Sequence, residues 1–274
     1  ERIDEFQSVF AKKRIGLITN PTGIASNFKS SIEILNEKTN LVALFSPEHG
    51  IRASIQAGEH LESYVDDETG IMVYSLYGAT RRPSKEIMDK IDIMSIDIQD
   101  CGSRYYTFIY TMAYCMQACA EFDKEFVVFD RPNPINCEKV EGNILNTDKY
   151  RSFVGYYPIV QRHGMTMGEL AKLFNEEYKI NCKLTVIPML NYERWMDFED
   201  TQLPWVIPTP NLPTIATAYV YNATCIFEGT NVSEGRGTTT PFELIGAPWI
   251  KSERLAEELN SYNLKGVYLS LIHI

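Results

Sequence analysis

The alternation of short apolar runs with segments of helical periodicity is the feature that most constrains the fold of this chain. Runs typical of buried strands cover residues 14–19, 41–45, 71–74, 91–98 and 126–129. Helical segments separate several of them, above all 105–122, which is long and apolar enough to be largely buried. Crossovers of this length suit right-handed βαβ units, so we predict an α/β fold. The expected architecture is a Rossmann-like, mostly parallel sheet with helices on both faces.

The pattern becomes less regular after residue 140. Thr166-x-x-Glu169 is a capping box that opens an amphipathic helix to about residue 179, which explains Glu169 without a functional role. Strands are predicted over 183–187 and 218–227, separated by an irregular stretch rich in proline and aromatic residues.

Composition narrows the class of function. The 274 residues carry a net charge of −10 with a pI near 5.0, which argues against a nucleic-acid partner because phosphate binding needs a basic face. No run of 18 apolar residues predicts a membrane span, and no signal peptide is visible. Six cysteines without a Cys-x-x-Cys pair favour unpaired, buried thiols.

Four of the predicted strands end in polar clusters, and these clusters predict the site. The carboxyl ends of parallel strands share one edge of a sheet, where ligands bind in open α/β folds. The residues concerned are Asn20, Glu48 with His49, Gln99 with Asp100, and Asp130 with Arg131 and Asn133.

Glu48 is the main candidate for general acid or base, because it stands at a strand end in Ser46–Gly50. The alternative is a carboxylate that only stabilises the turn. His49 could orient Glu48 or be structural. Asp100 and Glu228 are candidates for a second carboxylate, although Asp100 could equally cap the next turn.

The motifs together resemble the exo-β-N-acetylmuramidase NamZ family. They run from residue 14 to about residue 250 and comprise 16–23, 46–50, 97–100, 130–134, 162–166 and 228–238. The resemblance implies a glycoside hydrolase that releases N-acetylmuramic acid from non-reducing ends of peptidoglycan fragments, in the periplasm or outside the cell. It implies a catalytic domain over 1–238 and a smaller C-terminal domain that begins at 239. Because 269–274 resembles a translated sequencing adapter, we expect that domain to be truncated.

With a muramic-acid substrate, Arg162 and Arg236 become candidates for binding the lactyl carboxylate, since arginine binds carboxylates bidentately. Further candidates for contacts with the sugar are Asn20, Gln99, Tyr105, Asn133, His163 and Asn231.

No metal or cofactor is expected, since the histidines lack ligand spacing and no Gly-x-Gly-x-x-Gly follows the first strand. A non-catalytic binding protein for muramic-acid sugars remains the alternative function.

Overall fold

The protein is described by a computed structural model that covers residues 2–52, 62–78 and 81–272. Within these ranges seven strands form one sheet: β1 (Arg14–Thr19), β2 (Asn40–Ser46), β3 (Tyr64–Val65), β4 (Met72–Ser75), β5 (Ile93–Asp97), β6 (Glu125–Phe129) and β7 (Lys183–Ile187). The α-helices of the same ranges are α1 (Gln7–Phe10), α2 (Ser31–Lys38), α3 (Lys85–Met88), α4 (Phe108–Glu121), α5 (Thr147–Tyr150), α6 (Met167–Glu176), α7 (Ile215–Thr224) and α8 (Ser252–Ser261).

The strand order β3-β4-β2-β1-β5-β6-β7 confirms the predicted doubly wound architecture. Every neighbouring pair is parallel except β3 with β4, which is antiparallel at one edge. The chain builds outward from β1 to β2 and β4, and then returns to place β5, β6 and β7 on the other side. The order of the strands therefore reverses beside β1, which is where open α/β folds place their ligands.

Alternation along the strands divides the core between the two faces of the sheet. Ile15 and Leu17 pack with α2 on one face, whereas Ile18 packs on the other face with α4 and α6. α4 has ten buried residues, so it is the buried helix that its apolar sequence predicts. Helices thus cover both faces, as expected.

Capping explains where two of the helices begin. The Thr166 hydroxyl accepts a hydrogen bond from the backbone N–H of Glu169, and the Glu169 carboxylate accepts one from the backbone N–H of Thr166, so the predicted capping box is confirmed. Ser30 and Glu33 form the same motif at the start of α2. All six cysteines are free and buried, in agreement with the prediction.

The strand predicted over 218–227 is wrong. These residues form most of α7 and a 3-10 helix over Cys225–Gly229. The Thr214 hydroxyl caps α7 by accepting a hydrogen bond from the backbone N–H of Thr217. The buried residues Ala218, Tyr221 and Cys225 recur at spacings of three and four, which is helical periodicity that the β-branched and aromatic content obscured.

The polar, glycine-containing sequence of residues 50–70 predicts a long loop that carries Gln56, Glu59 and His60. The short edge strand β3 lies in this segment, and those three residues lie outside the described residues. None of the helices in the described ranges is both long and apolar enough to cross a membrane.

Candidate active site

A cleft of about 460 Å³ lies where the loops after β2, β4 and β5 meet residues 209–242. Its volume is within the range of small-ligand sites. The loops come from strands on both sides of β1, so the cleft spans the point where strand order reverses. Five of the residues predicted from the sequence line it together: Glu48, His49, Tyr105, Glu228 and Arg236.

Glu48 is placed by the tight turn that ends β2. Gly50 donates its backbone N–H to the carbonyl of Pro47, and both His49 and Gly50 have positive φ. Positive φ is costly at His49, where the side chain carries a Cβ, and the buried surroundings of the turn hold that conformation. The turn therefore directs Glu48 from the strand end into the cleft.

Among the described residues, two hydroxyl groups hold the Glu48 carboxylate. Thr107 Oγ1 donates to Glu48 Oε2 at 2.8 Å, and the Tyr77 hydroxyl also donates to this carboxylate. Among residues 2–52, 62–78 and 81–272, no cation forms an ion pair with it. A carboxyl group that faces a cleft and is held by neutral donors can accept and return a proton.

Tyr77 is one of the cleft residues that the sequence did not reveal. Burial raises its pKa, and the neighbouring Glu48 carboxylate raises it further. The phenol thus remains a hydrogen-bond donor at neutral pH. Its position directly after β4, at the same edge as Glu48, is the signal that could have identified it.

Arg236 lies between two carboxylates. Its guanidinium forms ion pairs with Glu228 and, at 2.9 Å, with Glu234, and it also covers the ring of Phe242 at 5.1 Å. Burial alone lowers the pKa of Arg236, but the carboxylates raise it above its ordinary value. The group of two acids and one base therefore carries a net charge of −1.

Asp100 and His163 form a buried pair outside the lining of the cleft. The distance from His163 Nε2 to Asp100 Oδ2 is 3.2 Å, and Asp100 Oδ2 also accepts the backbone N–H of Gly102. His163 Nδ1 accepts the N–H of Met165, so the neutral ring carries its proton on Nε2 and donates it to Asp100. The prediction that Asp100 is the second catalytic carboxylate stays a prediction. The observed contacts fix the loop that contains Asp100 to the loop that contains His163.

The side chains of Asn20 and Gln99, at the ends of β1 and β5, are likewise hydrogen-bonded to nearby groups of the protein. Asn20 Oδ1 accepts from the backbone and hydroxyl of Thr22, and Gln99 Nε2 donates to the carbonyls of Asp100 and Pro132. Neither side chain lines the cleft that contains Glu48.

The remaining predicted sugar contacts also lie away from this cleft. Asn133 bridges the backbone of Ile135 and Met165. Arg162 is ion-paired with Glu141 and donates to the carbonyl of Ile135. Asn231 is exposed in the segment after the 3-10 helix. Their proposed contacts with a sugar stay predictions.

A larger cleft of about 630 Å³ lies beyond the ends of β5, β6 and β7. Its two strand-end carboxylates already have strong partners. Asp97 is ion-paired with Arg131, and Asp130 accepts hydrogen bonds from Gly168 and Thr166 at the start of α6. We therefore place the candidate active site at Glu48, whose carboxylate is not neutralised.

The fold and the cleft define a Rossmann-like α/β protein with an acidic, aromatic-lined site at the carboxyl edge of its sheet. The chain belongs to the exo-β-N-acetylmuramidase NamZ family: residues 15–216 match the model of the N-terminal part of that family, and residues 219–274 match the model of the C-terminal part. The resemblance predicted from the motifs is thus confirmed, whereas the division of domains at residue 238 stays a prediction.

Three known proteins are similar to this chain in sequence or in structure. The chain is 54% identical over 267 residues to the peptidoglycan β-N-acetylmuramidase NamZ of Bacillus subtilis (strain 168). That alignment covers 97% of this chain and 64% of the length of that curated relative. A crystal structure of a DUF1343 family protein from Bacteroides fragilis NCTC 9343 superposes with a TM-score of 0.92 at 41% identity, covering 100% of this chain and 70% of the other. A second DUF1343 protein of that organism gives 0.79 at 43% identity, with coverages of 90% and 66%.

Proposed function

We propose that the protein is an exo-acting glycoside hydrolase that releases N-acetylmuramic acid from the non-reducing end of peptidoglycan fragments. Glu48 is its general acid and base. The observation that carries the proposal is the Glu48 carboxylate, which faces the cleft and is held by the hydroxyls of Thr107 and Tyr77. The name of the Bacillus subtilis relative supports the choice of substrate.

Glycoside hydrolysis requires a proton for the leaving oxygen, and Glu48 supplies it. Protonated Glu48 donates to the glycosidic oxygen as the bond to the anomeric carbon breaks. The resulting carboxylate is stabilised by the two hydroxyl donors, and it then takes a proton from the attacking water.

Glu228 is the second carboxylate in the cleft, and its negative charge forms an ion pair with Arg236. This charge can stabilise the positive charge that develops on the sugar ring in the transition state. Tyr105 and the other aromatic side chains of the lining supply flat surfaces for a sugar ring. Since the substrate is cell-wall material, we expect the protein to act in the periplasm or outside the cell, which fractionation of the source cells tests.

The test uses two disaccharides that differ only in the order of their sugars. N-acetylmuramic acid stands at the non-reducing end of one and at the reducing end of the other. We expect wild-type protein to release free N-acetylmuramic acid from the first alone, as measured by mass spectrometry. Glu48→Gln should lose this activity, while Glu37→Gln, at a carboxylate that pairs with Lys29 on the surface, should retain it.

Calorimetry on the first disaccharide separates catalysis from binding. If the wild-type protein binds the disaccharide and releases no sugar, the protein is a binding module and the proposal is wrong. Release from the second disaccharide would contradict the exo-acting specificity.

A further inference from the structure

Arg81 forms part of the wall of the Glu48 cleft, and the motifs of the sequence do not single it out. Its guanidinium carbon lies 3.9 Å from the centroid of the Phe153 ring and 5.9 Å from that of Tyr77. These are cation–π distances, so the two rings fix the guanidinium although the residue itself is exposed.

Arg81 differs from the other two arginines considered for an anionic ligand. In the described part of the chain no carboxylate lies within ion-pair distance of it. Arg162 is paired with Glu141, and Arg236 is shared by Glu228 and Glu234. Binding a substrate carboxylate at Arg236 would add a third negative charge around one guanidinium, which electrostatics opposes.

The stacked arrangement suits carboxylate recognition. A guanidinium that lies over an aromatic ring keeps its N–H groups in its own plane, where they can bind both oxygens of a carboxylate. Tyr77 contacts Arg81 through its ring and donates its hydroxyl to Glu48. The cation and the acid/base carboxylate are therefore separated by a single side chain, a separation that one sugar residue can span.

We propose that Arg81 recognises the lactyl carboxylate of the N-acetylmuramic acid whose glycosidic bond is cleaved. This inference rests on the proposed function, and it makes Arg81 the residue that separates muramic acid from glucosamine. The lactyl ether and the scissile bond belong to the same sugar ring, so binding at Arg81 also positions the glycosidic oxygen at Glu48.

The test compares a 4-nitrophenyl glycoside of N-acetylmuramic acid with its lactyl methyl ester. Charge-assisted, bidentate hydrogen bonds are the strong ones, so Arg81→Gln should lower kcat/KM for the acid about 10- to 100-fold. The loss should lie mostly in KM, and the ester should change less than about twofold. Arg81→Lys should give an intermediate preference for the acid, since it keeps the charge but not the fork of donors.

Arg82→Gln is the matched control, because Arg82 is adjacent in sequence but pairs with Glu121 outside the cleft. This variant should keep the wild-type ratio of acid to ester. If Arg81→Gln also keeps that ratio while Arg236→Gln abolishes it, Arg236 holds the carboxylate and the inference is wrong.

Calorimetry with free N-acetylmuramic acid and N-acetylglucosamine tests Arg81 without turnover. The inference predicts that wild-type protein prefers the muramic sugar and that Arg81→Gln loses this preference; an unchanged preference overturns it. Failure of the wild-type protein to cleave either glycoside would instead contradict the proposed function.

Discussion

Thr107→Val removes one of the two hydroxyl groups that hold the Glu48 carboxylate, and its effect can be estimated from the structure. The Thr107 hydroxyl lies 2.8 Å from Glu48 Oε2. A hydrogen bond to a charged group contributes about 1.5–3 kcal/mol. If about half of the negative charge has developed on Glu48 in the transition state, deletion of this donor raises the barrier by about 0.75–1.5 kcal/mol. We therefore expect kcat to fall about 4- to 13-fold.

The substitution should leave the fold intact. Valine keeps the branched shape of threonine, and Thr107, although it stands at the N-cap position of α4, makes no capping hydrogen bond with its side chain. The midpoint of urea unfolding should therefore change by less than the equivalent of about 1 kcal/mol. This result separates a catalytic effect from a loss of folded protein.

Thr185→Val is the matched control, because the Thr185 hydroxyl also donates to a glutamate, Glu125, at 3.0 Å, but on neighbouring strands far from the cleft lining. Initial rates on the disaccharide with terminal N-acetylmuramic acid provide the assay. The account requires a lower kcat for Thr107→Val and an unchanged kcat for Thr185→Val. Equal kcat values for Thr107→Val and wild type would show that this hydroxyl does not assist proton transfer.

Two further predictions concern stability. Hydrogen bonds from Arg14 lower the pKa of Asp92 from 3.8 to about 2, so this pair stabilises the fold fully above pH 3.8 and the contribution is lost as pH falls through 2. Because the pair is partly exposed, Asp92→Asn should cost only about 1 kcal/mol of unfolding free energy at pH 7 and nothing near pH 2, as urea titrations would show; an equal cost at both pH values contradicts the assignment. Gly102→Ala should cost about 2–4 kcal/mol, because φ is positive and the new Cβ would lie 2.6 Å from Ile135. Gly70→Ala, with positive φ but open space, should cost about 1 kcal/mol, and equal losses at both glycines would refute the role of the close contact.

The sheet could be predicted because its strands are short apolar runs with clear polar ends. Lys183–Ile187 is found as predicted, and Glu48 is found at the sheet edge where ligands of such folds bind. α7 was missed because its β-branched and aromatic residues favour a strand, whereas the helical spacing of Ala218, Tyr221 and Cys225 and the capping hydroxyl of Thr214 indicate a helix.

The candidate site was harder to predict than the fold. A polar residue at a strand end can face a ligand or bond to the adjacent backbone, and the sequence contains no sign of which occurs. Glu48 faces the cleft, whereas Gln99 is hydrogen-bonded to the backbone of Asp100 and Pro132. Tyr77 follows the end of a strand, as Glu48 does, and could have been identified from that position. Arg81 joins the site only through the packing of loops that are distant in sequence from Glu48, and no local pattern records such packing.

The central claim is that Glu48 is the general acid. The most direct test is how the loss of kcat/KM in Glu48→Gln depends on the leaving group of the substrate. A 4-nitrophenolate leaves without a proton, whereas a sugar alkoxide needs one, so only the disaccharide depends strongly on the general acid. The account predicts that Glu48→Gln lowers kcat/KM for the disaccharide about 10²- to 10⁴-fold and lowers that for the 4-nitrophenyl glycoside much less. Equal losses for both substrates, or near-normal turnover of the disaccharide, would contradict the assignment of Glu48 as the general acid.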